Sequence, residues 1–157
     1  MCIRDSSDLT TNQYNAMLVG IVNGVLQQEG LTEIETCIGD GEAEAKDAYT
    51  AFEDLVHKQW VAGFEELGVI AKALPNLLSD CTHFSDDIAK LKSWAVVFED
   101  PADLQSVITT NIKHNLLKLT RDLNRAKGDW KNEEYFAFGT ELGTMLVIAT
   151  QPLTMQF

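Results

Sequence analysis

The stretch Asp100–Lys127, DPADLQSVITTNIKHNLLKLTRDLNRAK, constrains the fold more than any other. Leu104, Ile108, Ile112, Leu116, Leu119 and Leu123 recur at spacings of three and four, the repeat of one helix face. Asp100 can cap the N-terminus, Pro101 fits the first helical position, and Gly128 ends the run. A helix with six large apolar side chains in one stripe needs other helices packed on it. His114, Lys118, Arg121 and Arg125 are offset from the stripe by two residues, roughly 200° around the helix, and face the other way.

The rest of the chain reads in the same period. A first helix starts at Thr10 or Thr11 and runs to about Gln28, with Gly30 as its stop; Gly20 and Gly24 on it suit close packing against another helix. A second starts with a capping box, Thr32 and Glu35, behind Leu31, and runs to about Val56. Its weak point is Gly39-Asp40-Gly41, where a kink or break is expected. A third covers Lys58–Leu74, and Pro75 begins a short piece to about Cys81. Ser85 caps a helix ending near Phe98, and Asp129 caps a last one running from Trp130 to about Ala149, stopped by Pro152. Strict polar/apolar alternation is hard to find. The expected class is all-α, a single-domain bundle of about six helices over residues 9–150 with a tail at 151–157. Residues 58–74 and 133–149 align without gaps at Ala62/Ala137, Glu66/Glu141, Leu67/Leu142 and Gly68/Gly143; four identities in amphipathic helices read as shared helix grammar.

Length and composition permit one closed core: 157 residues, 45% hydrophobic. The net charge of −12 is uneven, because residues 1–100 hold 18 of the 24 acids and 6 of the 12 bases. Such a chain is repelled by nucleic acid and by anionic membranes. No run of about 18 apolar residues offers a membrane span. No secretory leader is legible in MCIRDSSD, which resembles a translated adaptor; residues 1–8, Cys2 included, are read as an artefact or a disordered start.

Few motifs carry chemistry. There is no nucleophile elbow, phosphate-binding glycine loop or HExxH pattern, and no cofactor is expected. Asp80-Cys81-Thr82-His83 with Asp86 and Asp87 lacks a second ligand pair for zinc, and residues 40–44 lack the calcium loop of an EF-hand, so no metal site is expected. His57, His83 and His114 are scattered. The aromatic residues Trp60, Trp94, Trp130, Phe64, Phe84, Phe98, Tyr135 and Phe138 read as bundle core, the alternative being the lining of an apolar ligand cavity. Cys37 and Cys81 lie on apolar faces. They are either one disulfide, contributing about 3–4 kcal/mol in the chain-entropy model, or two buried thiols.

In order along the chain, Ile21, Gly24 and Leu26, Gly30-Leu31-Thr32 before Cys37, Phe52, Glu66-Leu67-Gly68, Leu74-Pro75 before Asp80-Cys81, and Trp130 with Gly139, Leu142 and Gly143 give a resemblance to small secreted all-helical proteins of ciliates and other protists. It covers about Tyr14 to Ile148 and implies a secreted or lumenal protein with Cys37 and Cys81 disulfide-bonded. The functional expectation is a non-enzymatic protein acting by self-association or by binding a protein partner, as a structural or filament subunit. The face His114, Lys118, Arg121 and Arg125 is the candidate interface. The alternative is a carrier of a small apolar ligand.

Overall fold

A computed structural model describes residues 9–26, 34, 37–39, 41–82, 85–96 and 101–150. They form six helices and, among the described residues, no strand: α1 (Thr11–Leu26), α2 (Glu42–Val56), α3 (Trp60–Leu77), α4 (Ser85–Ala95), α5 (Pro101–Lys131) and α6 (Tyr135–Thr150). The protein is an all-α bundle. The caps expected at Thr32 and Asp100, the stops at Gly30 and Pro152, the helix end near Phe98, and the terminal segments 1–8 and 151–157 lie outside the described residues.

Thr10 opens α1 through a reciprocal box. The Gln13 amide donates to Thr10 Oγ1 (3.2 Å), and the Thr10 amide donates to Gln13 Oε1 (2.8 Å). α2 begins at Glu42 rather than running on from Thr32. Cys37, Ile38 and Gly39 are not helical, and the Gly39 amide donates instead to the Leu77 carbonyl at the end of α3 (2.8 Å). Gly41 seals the break, since a Cβ there would collide with Leu18 of α1.

α3 runs through Pro75, where a break was expected. The proline stands in the last turn, and Leu74 and Leu78 stay buried on one face across it. Its start is later than Lys58, because that residue belongs to the turn that closes α2. Lys58 has φ 68°, its amide donates to the Leu55 carbonyl, and the Gln59 amide donates to that of Asp54. The junction of α5 and α6 repeats this geometry: Glu133 has φ 60°, its amide donates to the Trp130 carbonyl, and the Glu134 amide donates to that of Asp129. Both are Schellman closures with a charged residue where glycine is usual.

The expected break at Gly128 therefore moves to Asn132–Glu134, and Asp129 and Trp130 belong to α5, not α6. A glycine inside a helix costs about 1 kcal/mol, less than burying Ala126 and Trp130 on the continued face contributes. α5 is also not one straight helix. Asn115 has φ −125° and ψ 20°, and its side-chain amide donates to the Asn111 carbonyl (3.0 Å), in competition with the helix's own ladder. The kink splits the apolar stripe. Leu104, Ile108, Leu119 and Leu123 are buried, Ile112 is half-buried, and Leu116 turns outward, 46% exposed.

The tightest packing is between α1 and α6, which run parallel. Gly20 and Gly24 of α1 face Gly139 and Gly143 of α6. A Cβ at Gly20 or Gly24 would strike the carbonyls of Phe136 or Thr140, and one at Gly139 or Gly143 those of Met17 or Ile21. α2 pairs with α3, α5 with α6, and α4 lies on α3. An aromatic cluster joins α2, α5 and α6: Trp130 packs on Tyr49 (4.5 Å), Phe138 (5.1 Å) and Tyr135 (5.4 Å), and Phe138 meets Phe52 edge-on (4.8 Å).

Candidate functional site

Cys37 and Cys81 are disulfide-bonded, with Cα atoms 5.2 Å apart. The bridge ties the irregular segment before α2 to the turn after α3, beside the Gly39–Leu77 hydrogen bond. Residues with neither helix nor sheet to hold them are thus fixed at two points. Of the superficially metal-like Asp80–His83 run, Asp80 is exposed, Cys81 is in the disulfide and His83 lies outside the described residues. Among the described residues no group of three or more His, Cys, Asp or Glu side chains is arranged to hold a metal ion.

The candidate interface residues His114, Lys118, Arg121 and Arg125 are all exposed on α5. The kink adds two apolar neighbours to them. Leu117, 83% exposed, lies four residues from Arg121 on the helix that follows the kink, so those two share one face; Leu116 lies beside it.

The stripe has an inner counterpart that the sequence reading missed. Asp122 is only 4% exposed, and its Oδ1 stands 3.6 Å from Arg125 Nη1 while Oδ2 is buried without a hydrogen-bond partner. Burial raises its pKa above the ordinary value, and Arg125, Lys118 and Arg121 act to lower it. Three members of the basic stripe therefore also stabilise a buried carboxylate. Glu141 of α6 is raised by burial and then by Asp122 and Asp129, with Arg125 opposing. Asp129 is raised by burial and by the charge and hydrogen bond of Glu134, again with Arg125 opposing. The available signal was an acid at the inward position between Leu119 and Ala126.

A second acidic group lies between α2 and α3. Glu66 is pushed up to about 7 by burial, by a carboxyl–carboxyl hydrogen bond with Asp54, and by the charges of Asp54 and Asp47. Its Oε2 is buried and otherwise unpartnered.

The aromatic residues that could line a cavity are largely engaged with one another. Trp130, Tyr135 and Phe138 form the cluster above, and Trp60 stacks with Phe64 at 6.2 Å. Trp94 is half-buried on α4, and Phe84 and Phe98 lie outside the described residues. Among the described residues no helix is long and apolar enough to cross a membrane.

None of the curated proteins and none of the solved structures compared with the chain matches it. A family model does, over residues 3–150, which takes in the whole bundle, and the chain belongs to the family it describes, the SctB-like, or secreted protein B-like, family.

Proposed function

We propose that this protein is secreted or lumenal and works without catalysis, by associating with further copies of itself as a structural subunit. Membership of a secreted-protein family and an intramolecular disulfide both fit an oxidising compartment. The observation that carries the association is the outer face of α5, where Leu116 and Leu117 stand in water among Lys113, His114, Lys118 and Arg121. The chain as a whole carries −12, so a basic apolar face on one copy meets acidic surface on the next. Exposed acids on α2, among them Glu42, Asp47 and Glu53, supply that surface.

Light scattering across protein, salt and calcium concentration tests the reading. Association that weakens with salt, and is lost in Leu117→Ser and in Arg121→Glu, is the expected result. A protein that stays monomeric at every concentration and in every buffer would overturn it. So would assembly indifferent to both substitutions.

A further inference from the structure

The Schellman closures at Lys58 and Glu133 are 75 residues apart, and that offset recurs through the molecule. Every buried position of α3, Gly63 to Leu74, has a buried position of α6 75 residues on, Phe138 to Ala149. The offset places α1 on α4, α2 on the part of α5 after its kink, and α3 on α6. It sets Asn115, the kink of α5, at position 40, immediately ahead of α2. The packing follows the same exchange: α2 pairs with α3 as α5 does with α6, and α1 lies on α6 as α4 lies on α3. The four identities between residues 58–74 and 133–149 are thus the visible part of a longer correspondence.

The same offset carries Asp47, Asp54 and Glu66 onto Asp122, Asp129 and Glu141. These two trios are the acidic groups around Glu66 and around Asp122. In each, the glutamate comes from the last helix of its unit and the aspartates from the helix before, and both aspartates act on the glutamate. We infer that the chain is two fused, equivalent three-helix units, and that each unit holds an Asp/Asp/Glu trio that binds a proton and so tightens the fold in acid.

Three observations favour a proton as the ligand. Asp122, nine-tenths buried, keeps Oδ2 without a partner and acts on Glu141; Glu66 Oε2 is buried and otherwise unpartnered. A hydrogen bond between two carboxyls, as at Asp54 and Glu66, needs one of them protonated. The described acids are not arranged to hold a metal ion. The surroundings of the trios differ. Asp54 and Asp47 act on Glu66, and α4, also packed on α3, carries Asp86, Asp87, Lys90 and Lys92. The second trio has Arg125, Arg121 and Lys118 against it on α5 and Glu134 beside it; α1, packed on α6, carries no Asp, Glu, Lys, Arg or His.

For Glu66 the folded state takes up its proton near 7 and the unfolded chain near 4.5. Below about 4.5 both states are protonated, and the fold bears no penalty. As pH rises from there through about 7 the folded, half-buried carboxyl must ionise beside Asp54 and Asp47, so stability falls across that window.

Urea unfolding of the intact protein between pH 5 and 7.5, with carboxyl-carbon NMR titration of the folded protein, tests the inference. The expected result is an unfolding constant smaller at pH 5 than at pH 7.5 by on the order of ten- to a hundredfold. Glu66→Gln should raise the pH 7.5 midpoint and flatten the pH dependence. Glu141→Gln should act in the same direction, and the exposed control Glu65→Gln should do neither. In the wild type the Glu66 and Glu141 carbons should titrate above 4.5. Carbons that titrate at or below 4.5 would overturn the proton sites even if a variant failed to fold. An effect of opposite sign at Glu141 would overturn the equivalence of the units.

Discussion

α1 on α6 and α4 on α3 are corresponding contacts between the two halves of the molecule, and they are made differently. The first is a four-glycine seam in which backbone carbonyls of each helix approach the other directly. In the second, the offset that aligns the halves puts Ala95 where α1 has Gly20 and Phe64 where α6 has Gly139. Of the four seam glycines only Gly143 keeps a glycine counterpart, Gly68. α1 has nine buried positions in 16 residues, while α4 has two in 11. The contact that keeps one glycine in place of four is the one beside the disulfide. Cys37–Cys81 locks the turn between α3 and α4 to the segment before α2. One contact is held by close backbone packing, and the other lies beside a covalent bond.

Replacing Cys37 and Cys81 together by alanine should therefore have the largest effect. The expected loss is about 3–4 kcal/mol, read as a fall in the urea midpoint. Hydrogen exchange should quicken around residues 37–41, the start of α2 and α4, while α1 and α6 keep their protection. Uniform loss of protection would show that the two contacts do not differ in how they are held.

This contrast marks what was legible in advance. The class, the helix count and the inward stripes come from periodicity, which burial of one face imposes on any helix; the stripes at Ile21, Leu67 and Leu142 came out buried as read. Helix ends were less legible because they depend on backbone closure. Glycine is the usual mark of a left-handed cap, yet Lys58 and Glu133 fill that role, and Gly128, which reads as a stop, is interior. The kink at Asn115 had no glycine or proline to announce it, so Leu116 was assigned to the core by spacing alone. The exposed basic stripe on α5 was readable, because charge on one face needs no partner to be seen. The carboxyl trios were not, since each forms only where two successive helices pack side by side and bring acids of both together.

Gly139→Ala tests the seam itself and should rank second. Helix propensity alone would make it stabilising by about 1 kcal/mol. The new methyl meets the Met17 carbonyl, a backbone atom that cannot swing aside, so the net change should be a loss of about 1–3 kcal/mol. A neutral or stabilising result would mean that α1 can slide on α6, and the seam would be no tighter than the contact of α4 with α3.

Arg125→Met sharpens the comparison of the two trios. Arg125 opposes the rise of Asp122, Asp129 and Glu141, and the residue at its place in the first half is Thr50. Removing it should raise all three titrations in the NMR experiment, bringing the second trio closer to the first, and leave Glu66 where it is. The stability change at neutral pH should be about 1 kcal/mol or less, since the guanidinium is 60% exposed.

Gly128→Ala is the smallest expected effect and differs in sign from the seam. Both glycines lie inside helices, and both gain about the same propensity from a methyl. At Gly128 nothing stands within 4 Å of the new Cβ, so no collision offsets the gain. The variant should be more stable by about 0.5–1 kcal/mol, with an unchanged fold by circular dichroism. Set beside Gly139→Ala, it separates two reasons for a helical glycine in one protein: at the seam the missing Cβ is the space the partner helix occupies, and at Gly128 it is only lost helix propensity. If both substitutions destabilise equally, that distinction fails, and α5 would need its glycine for a bend that the backbone around Gly128 does not show.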